Sequence, residues 1–341
     1  MSAVSATIRF AAALLASACV TVHAQSILTP ATAAAPPLGA TVRGDRTQRS
    51  VLFRVWAPNA QKVSVIGDFN SWKEDPLQKE LNRPGYWTLD TKRARPGDAY
   101  QFVVDGQIRR DPRARAVNQE ASKSFILDPR EMAWGPADAW KMPSKEDLVM
   151  YEMHLGTFAY DIPGSGSLFD RAAKRLPYLK ALGINCIQLM PVNEFPGDRS
   201  WGYNPGDLFA VESAYGGAAG FKNFIKACHT NGVAVILDIV HNHYGPDNIA
   251  VWQFDQRLPE TDGGIYFYND EERALTEWGP RPDYNRPEVR DFIVDSVRMF
   301  AEEYRLDGFR WDSVYNIRYY LNGQRSNADG DRLLAEANDW L

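Results

Sequence analysis

Residues 233–243 read Val-Ala-Val-Ile-Leu-Asp-Ile-Val-His-Asn-His, an apolar run that ends in polar side chains. A continuous apolar run of this length is typical of a parallel strand that is buried on both faces of a sheet. Similar strands are predicted at 149–155, 184–190 and 306–311, and apolar residues recur at helical spacing between them. Strands that alternate with helices in this rhythm predict βαβ units and a parallel sheet.

The long insertions in this half of the chain, at 191–217 and 244–284, follow the carboxyl ends of predicted strands. A (β/α)₈ barrel builds its active site at this end of its strands. A doubly wound sheet is the alternative, but no glycine-rich phosphate loop follows the first strand. Only four strand–helix units fit before Leu341, whereas a closed barrel needs about 250 residues. We therefore predict an incomplete α/β (TIM) barrel over 135–341, with about four of its eight units.

The preceding region, residues 50–134, has a different pattern. Short β-rich runs at 51–56, 63–66, 85–89 and 100–104 are each bounded by Pro, Gly, Asn or Asp. This spacing predicts a small antiparallel β-sandwich. Residues 25–49 are rich in Ala, Pro, Thr and Ser, and we predict a flexible linker there.

The first 24 residues have the pattern of a secretory signal peptide. Arg9 precedes an apolar stretch that is too short to span a bilayer, and small residues end at Ala24. We predict cleavage after Ala24 and a periplasmic or secreted protein. The alternatives are a partly buried N-terminal helix and a lipoprotein modified at Cys19. We expect Cys186 and Cys228 to be buried thiols, because both lie within apolar patterns.

Composition and charge restrict the classes of partner. The 341 residues are 45% hydrophobic, which is enough to build packed cores. The formal net charge of −5 argues against a nucleic-acid binder, which should carry a basic patch. No segment after the predicted signal is long and apolar enough to be a membrane span. Because the net charge is only mildly negative, we expect a neutral substrate.

Arg310 and Asp312 are the first pair of candidate catalytic residues. They are two positions apart at the end of a predicted strand, so both side chains should point the same way. A guanidinium beside a carboxylate favours the ionised carboxylate, which suits a nucleophile that attacks an anomeric carbon. A purely structural ion pair is the alternative interpretation.

A second polar group follows the strand that ends near Asp238. His241 and His243 have a spacing found in many metal sites, and Asp238 could supply a third ligand. Neutral imidazoles can equally donate hydrogen bonds to sugar hydroxyls, or lie in an ordinary loop. Tyr203, in the loop after the second strand, is a candidate stacking platform for a sugar ring, although core packing is the commoner role for an aromatic residue.

Taken together, these stretches resemble a known family. Asp-x-x-x-Asn-His at 238–243 and Gly-Phe-Arg-Trp-Asp at 308–312 look like the first and second signature regions of glycoside hydrolase family 13, the α-amylase superfamily. Tyr-Glu-Met-His-Leu-Gly-Thr-Phe at 151–158 resembles the first barrel strand of its branching and trehalohydrolase members. Trp-Gly-Tyr-Asn-Pro at 201–205 resembles their second-strand loop.

The predicted sandwich carries a matching resemblance. Phe-Arg-Val-Trp-Ala-Pro at 53–58 and Gly-Asp-Phe-Asn-Ser-Trp at 67–72 are similar to the family 48 carbohydrate-binding module that precedes such barrels. The two resemblances together run from about residue 51 to residue 312.

The resemblance implies roles for five residues. Asp312 would be the nucleophile that forms a β-glycosyl-enzyme intermediate, and Arg310 would keep it ionised. Asp238 and His243 would bind the sugar at the cleavage subsite, and Tyr203 would stack on the same ring.

The resemblance also bears on metals and on the general acid. The position of Asn242 ligates calcium in many amylases but often not in branching-type members, so we predict no cofactor and leave calcium as an alternative that we do not claim. His241 stands where relatives often have Tyr, so the resemblance assigns it no role. The family's general acid is a Glu at the end of the fifth strand. Glu336 fits poorly, because 331–341 is predicted to be a helix, and we expect the acid to lie beyond Leu341.

These observations predict a retaining α-glucan hydrolase or transglycosylase that most resembles a 1,4-α-glucan branching enzyme. An exported α-glucan hydrolase of the amylase or trehalohydrolase type is one alternative, and a metal-dependent barrel hydrolase is another. If the chain truly ends at Leu341, a glucan-binding protein without catalysis is the third. The expected partner is an α-glucan polysaccharide or oligosaccharide.

Overall fold

The computed structural model describes residues 19–21, 37–131 and 133–340. Its N-terminal module is a sandwich of two antiparallel sheets, as predicted. The longer strands are β1 (Gly39–Arg43), β2 (Ser50–Trp56), β3 (Val63–Gly67), β4 (Tyr86–Thr91), β5 (Ala99–Val104) and β6 (Gln107–Arg109). One sheet has the order β1-β2-β4 and ends in a two-residue strand at Gln78–Lys79, and the other pairs β3, β5 and β6 with short strands at Asp75–Pro76 and Ser124–Phe125.

Aromatic side chains fill the space between the two sheets. Phe53 of β2 packs against Tyr100 and Phe102 of β5, with ring centroids 5.2 and 6.5 Å apart. All three rings are buried. Interlocking aromatic rings of this kind remove a large apolar area from water, which holds the two sheets together.

The predicted flexible linker over 25–49 is wrong for residues 39–43. These residues form β1, which pairs antiparallel with β2 from Gly39↔Arg54 to Arg43↔Ser50. Ala40 and Val42 are buried, so this short segment alternates between core and surface as a strand should. The alternation covers too few residues to stand out from the Ala- and Thr-rich stretch before it, and burial against β2 decides its conformation. Residues 25–36 lie outside the described part of the chain.

The second half of the chain contains a parallel sheet. Its strands are β7 (Met150–Met153), β8 (Cys186–Leu189), β10 (Ala234–Ile239) and β11 (Gly308–Trp311), and β9 (Asp207–Val211) pairs with Asn193–Glu194 outside this sheet. The four parallel strands have the order β7-β8-β10-β11. Neighbours in sequence are therefore neighbours in space, which is the order of a barrel and not of a doubly wound sheet. A strand at Cys19–Thr21, within the predicted signal segment, pairs antiparallel with β11.

Seven α-helices occupy the described residues of this half. The apolar pattern over 169–182 predicts one helix but forms two, α2 and α3, because Pro177 lies in the first turn of α3 and cannot continue a hydrogen-bonded ladder. Residues 328–340 form a helix, which agrees with the prediction for 331–341. The helices are α1 (Leu155–Phe158), α2 (Leu168–Ala173), α3 (Leu176–Ala181), α4 (Gly217–Thr230), α5 (Pro287–Glu303), α6 (Val314–Arg318) and α7 (Ala328–Trp340).

Two long loops leave the carboxyl ends of the parallel strands. Residues 195–206, here called the Tyr203 loop, lie between Asn193–Glu194 and β9. Residues 244–284, here called the Trp278 loop, connect the end of β10 to α5. No helix within the described residues is long and apolar enough to cross a membrane.

Candidate active site

Strand register places Asp238 beside Arg310. The two residues are direct partners in the parallel pair β10–β11, and Asp312 follows at the end of β11, where its amide donates to the Ile239 carbonyl at 2.9 Å. Arg310 NH1 donates to Asp238 Oδ2 at 2.7 Å and to Asp312 Oδ1 at 3.0 Å. One guanidinium nitrogen thus joins the two carboxylates, and the expected side-by-side placement of Arg310 and Asp312 is confirmed.

Tyr203 reaches the same point from its own loop. Its hydroxyl donates to Asp238 Oδ2 at 2.8 Å, so this oxygen accepts from both Tyr203 and Arg310. The contact is made through the hydroxyl, and the predicted stacking on a sugar ring stays a prediction. Asp238 Oδ1 is buried and has no hydrogen-bond partner among the described residues.

Asn242 contacts the other oxygen of Asp312 and also contacts His243. The Asn242 amide donates to Asp312 Oδ2 at 3.0 Å, and its oxygen lies 2.5 Å from His243 Nδ1. His243 Nε2 lies 2.7 Å from the Tyr203 carbonyl oxygen. Asn242 therefore connects the candidate nucleophile to the histidine, a contact that the sequence did not reveal because it depends on the turn after β10.

The two carboxylates have different surroundings. Asp238 is fully buried, and burial raises its pKa to about 7 despite the neighbouring Arg310 and the Tyr203 hydroxyl, which both favour the ionised form. The Asp312 side chain keeps 18% of its surface exposed. A ligand at the barrel mouth can therefore reach Asp312, whereas Asp238 lies deeper. Asp312 is thus an accessible carboxylate beside a guanidinium, and its role as a nucleophile stays a prediction.

His241 is not part of this group. Its Nε2 lies 3.3 Å from the Ser296 hydroxyl on α5, and its ring packs edge-on against Trp311. Burial lowers its pKa to about 3, so the ring is neutral. The alternative metal set of Asp238, His241 and His243 is therefore not supported, because the side chain of His241 is directed towards α5. Within the described residues, no group of three or more His, Cys, Asp or Glu side chains is arranged to hold a metal ion.

Trp278 is a site residue that sequence reasoning missed. Its ring centroid lies 5.7 Å from that of His243 at an angle of 36°, and half of its surface is exposed. The turn that presents it is held by hydrogen bonds between Thr276 and Gly279. The signal available in the sequence was the Thr-x-x-Gly turn around an aromatic residue within a long loop at the active end of the strands.

Glu336 makes its hydrogen bonds outside the group of residues described above. It lies on α7 and accepts two hydrogen bonds from Arg290 of α5, at 2.9 and 3.1 Å. Arg290 also donates to the Tyr284 carbonyl at 2.7 Å. Glu336 therefore joins two outer helices, and the expectation that it is a helix residue is confirmed.

Comparison with known proteins agrees with this architecture. A family model for carbohydrate-binding module 48 (isoamylase N-terminal domain) matches residues 37–129, and one for the alpha amylase catalytic domain matches residues 164–277. A 1,4-alpha-glucan branching enzyme of Dechloromonas aromatica is 34% identical over 313 residues, which are 85% of this chain and 49% of the relative. The chain therefore carries a carbohydrate-binding module 48 and, after it, sequence of an alpha amylase catalytic domain.

Further relatives extend the similarity. The malto-oligosyltrehalose trehalohydrolase of Saccharolobus solfataricus is 34% identical over 78% of this chain and 44% of its own length. The crystal structure of a Salmonella typhimurium protein provisionally described as an alpha amylase superposes with a TM-score of 0.73 at 34% identity, over 88% of this chain and 46% of that one. A pullulanase from Paenibacillus barengoltzii shares the fold at 24% identity, with a TM-score of 0.70 over 89% of this chain and 52% of the pullulanase. The chain spans about half the length of the relatives that it matches.

Proposed function

We propose that this chain acts on α-glucans as a retaining family 13 glycosidase or transglycosylase, most like a 1,4-α-glucan branching enzyme. The observation that carries the proposal is the position of Asp312, which is partly exposed at a strand end while Arg310 and Asn242 hold its two oxygens. A carboxylate held in this way can attack an anomeric carbon and leave the glycosyl group bound to the enzyme.

The proposed roles of the other residues follow from their contacts. Arg310 balances the negative charge of both carboxylates. Asp238 presents a buried oxygen without a protein partner, which suits a hydrogen bond from a sugar hydroxyl. His243 and Tyr203 hold each other through the Tyr203 carbonyl and line the same mouth, where the Tyr203 ring would stack on the sugar. The acid that protonates the leaving oxygen would be a further carboxyl group, and Glu336 does not suit that role because it lies on a helix and is paired with Arg290.

The branching assignment and its rival differ in the acceptor. Relatives named as 1,4-alpha-glucan branching enzymes support transfer to another glucan chain. The predicted signal peptide and the trehalohydrolase relative favour an exported hydrolase, in which water is the acceptor. Incubation of the protein with amylose and amylopectin separates the two: transfer creates branch points without new reducing ends, whereas hydrolysis creates reducing ends.

The nucleophile can be tested with an activated substrate. A 5-fluoro-α-maltosyl fluoride carries a leaving group that needs little acid assistance, and its ring fluorine slows the second step. We expect the bond from C1 to fluoride to break, fluoride to leave and C1 to bond to an Asp312 oxygen. Peptide mass spectrometry should find the adduct on Asp312 and none in Asp312→Asn. An adduct on another residue, or none in the unaltered protein, contradicts the proposed nucleophile.

We also propose that the protein is exported to the periplasm or beyond, on the basis of the predicted signal peptide. The mature protein purified from the periplasmic fraction should begin at Gln25. An intact N-terminus in a cytoplasmic fraction contradicts this proposal.

A further inference from the structure

We infer that Arg110, a residue of the carbohydrate-binding module, is a positioning residue for the active site: it fastens the Tyr203 loop to the Trp278 loop. For its kinetic consequence this inference rests on the proposed function. The structural part concerns three segments that are far apart in sequence and meet at one guanidinium.

Arg110 contacts the Trp278 loop and the first residue of β9, directly after the Tyr203 loop. Its Nε donates to Asp207 Oδ1 at 2.9 Å, at the start of β9, where the Tyr203 loop ends. NH1 donates to Asn248 Oδ1 at 2.9 Å and NH2 to the Asn248 carbonyl at 2.6 Å, in the Trp278 loop. NH1 also donates to the carbonyl of Ala121 within the module. The planar fork of an arginine can satisfy these acceptors together, whereas an ammonium group is a single point charge.

The surroundings exclude water from this contact. The Arg110 side chain is 8% exposed and that of Asp207 is 1% exposed. Next to the pair, Ala210 of β9 packs against three small residues of the module in an apolar cluster. A buried ion pair of this kind is costly to break, because removal of one partner leaves the other charge buried without compensation. The three module residues of this cluster are Ala114, Val117 and Ala121.

The two loops are also joined by their backbones at the same place. The Gly245 amide donates to the Pro205 carbonyl at 2.9 Å, and the Ala250 amide donates to the Gly206 carbonyl at 2.9 Å. The approach is close: a Cβ added at Gly206 would lie 2.8 Å from the Asn248 carbonyl oxygen. Arg110 therefore closes one end of a short seam between the loops.

The other end of this seam is the active site. Tyr203 lies two residues before Pro205, and His243 lies two residues before Gly245. The His243 ring contacts the Tyr203 carbonyl at 2.7 Å, and the Tyr203 hydroxyl holds Asp238. If the two loops shift relative to each other at Arg110, the groups proposed to bind the sugar should therefore shift as well.

A neighbouring arginine provides a matched control. Arg115 also belongs to the module and forms a bidentate ion pair with the second half of the chain, at Glu303 of α5, with oxygen distances of 2.6 to 3.0 Å. Its side chain is also largely buried, at 16% exposure. It touches neither loop, so Arg115→Met removes a module-to-barrel ion pair without disturbing the seam.

The first measurement is amide hydrogen exchange, which does not require activity. In Arg110→Met we expect protection of the Gly245 and Ala250 amides to fall at least tenfold, while β10 keeps its protection. Arg115→Met should leave both loop amides protected. Arg110→Lys should lower their protection to an intermediate level, and it replaces Arg110→Met in the comparison if that variant fails to fold. Unchanged loop protection in folded Arg110 variants, or equal loosening in Arg115→Met, overturns the inference.

A double variant separates positioning from the cost of a stranded charge. Arg110→Met with Asp207→Asn removes the unpaired carboxylate but does not restore the bonds to Asn248. Positioning by Arg110 predicts that the loop amides stay poorly protected in this variant. Full recovery of protection would show that the stranded Asp207 charge alone caused the loosening and would overturn the inference.

Kinetics then test the functional consequence. Since the loops hold the sugar-binding groups, Arg110→Met should raise KM for a glucan about tenfold with a smaller change in kcat, and Arg115→Met should change neither. Unchanged KM with loosened loops overturns the functional part of the inference. If the unaltered protein shows no activity on glucans, the proposed function fails, and the hydrogen-exchange result still decides whether Arg110 joins the loops.

Discussion

Two polar groups lie at opposite ends of the same parallel strands. The upper cluster, at the carboxyl ends, consists of Tyr203, Asp238, Asn242, Arg310 and Asp312. The lower cluster, at the amino end of β11, consists of Trp140, His229 and Asp307. Each cluster contains a carboxylate at one end of β11: Asp307 directly precedes this strand and Asp312 directly follows it.

The two clusters differ in whether protein donors use up the hydrogen-bonding capacity of their carboxylates. Asp307 accepts from Trp140 Nε1 at 2.6 Å, from the Val235 amide at 2.7 Å and from His229 Nε2 at 2.9 Å. Trp140 stacks on the His229 ring at 4.8 Å and covers the pair. Asp238 instead keeps one buried oxygen without a partner, and Asp312 is partly exposed. A carboxylate whose oxygens are bonded by protein donors stabilises the fold, whereas one with spare capacity at a strand's carboxyl end is suited to a ligand.

The largest expected effect is that of Asp312→Asn. Since the substitution removes the proposed nucleophile, the rate of glucan transfer or hydrolysis should fall by about 10⁴-fold or more. The free energy of unfolding should change by less than about 1 kcal/mol, because the side chain is partly exposed and an amide can keep the bond to Arg310. Steady-state kinetics and urea unfolding measure the two quantities. A folded variant with near-normal activity would place the nucleophile elsewhere.

Asp238→Asn should reduce activity by roughly 10² to 10³-fold, because it alters the carboxylate that we propose as a buried acceptor for the sugar. Its effect on stability depends on pH. The folded-state pKa of Asp238 is about 7 and its usual value is near 4, so the folded protein holds a proton that the unfolded chain has released. Its contribution to stability is therefore present at low pH and lost as the pH rises from about 4 to 7.

Urea unfolding at pH 5 and pH 8 checks this sign. The unaltered protein should lose roughly 2–3 kcal/mol more than Asp238→Asn over this interval. Glu194 and Glu212 also have pKa values raised by burial, to about 8 and about 7, and contribute in the same direction in both proteins. The difference between the two proteins isolates Asp238, and equal losses in both would contradict the assignment.

Asp307→Asn, in the lower cluster, should reduce the stability of the fold and leave activity nearly unchanged. An amide offers one acceptor oxygen to three buried donors, so we expect a loss of about 2–4 kcal/mol in the free energy of unfolding. The kcat of the folded protein should remain within about twofold, since this cluster lies at the other end of the strands. Unfolding curves and kinetics below the transition test both statements. A large loss of kcat without a loss of stability would contradict the structural role that we assign to the lower cluster.

Tyr203→Phe has the smallest expected effect. It removes the hydroxyl that donates to Asp238 but keeps the ring, so kcat/KM should fall about three- to tenfold. Because that hydroxyl favours the ionised carboxylate, its removal should raise the pKa of Asp238. The acid limb of the activity profile should therefore move to higher pH. An unmoved limb, with Tyr203→Ala no worse than Tyr203→Phe, would show that Tyr203 does not act through Asp238.

Some contacts within the site could be predicted from the local sequence pattern, and others could not. Arg310 and Asp312 were predicted to lie together because the two-residue period of a strand is a local property. The contact of Asn242 with Asp312 and the approach of Trp278 to His243 depend on how a turn and a loop of about forty residues fold back over the strand ends. Arg110 gave no signal, since its acceptors lie 97 and 138 positions away along the chain.

The sequence by itself determined the sandwich, the four parallel strands, the family resemblance and the identity of the residues at the strand ends, because hydrophobic periodicity and short motifs are carried by neighbouring residues. The tertiary structure alone decided that residues 39–43 form a strand, that His241 turns away from the site while His243 joins it, and that a module arginine closes the seam between two active-site loops. These features depend on burial against distant segments. Burial also sets the raised pKa of Asp238, since the loss of water around a carboxylate is a property of the folded chain and not of its local sequence.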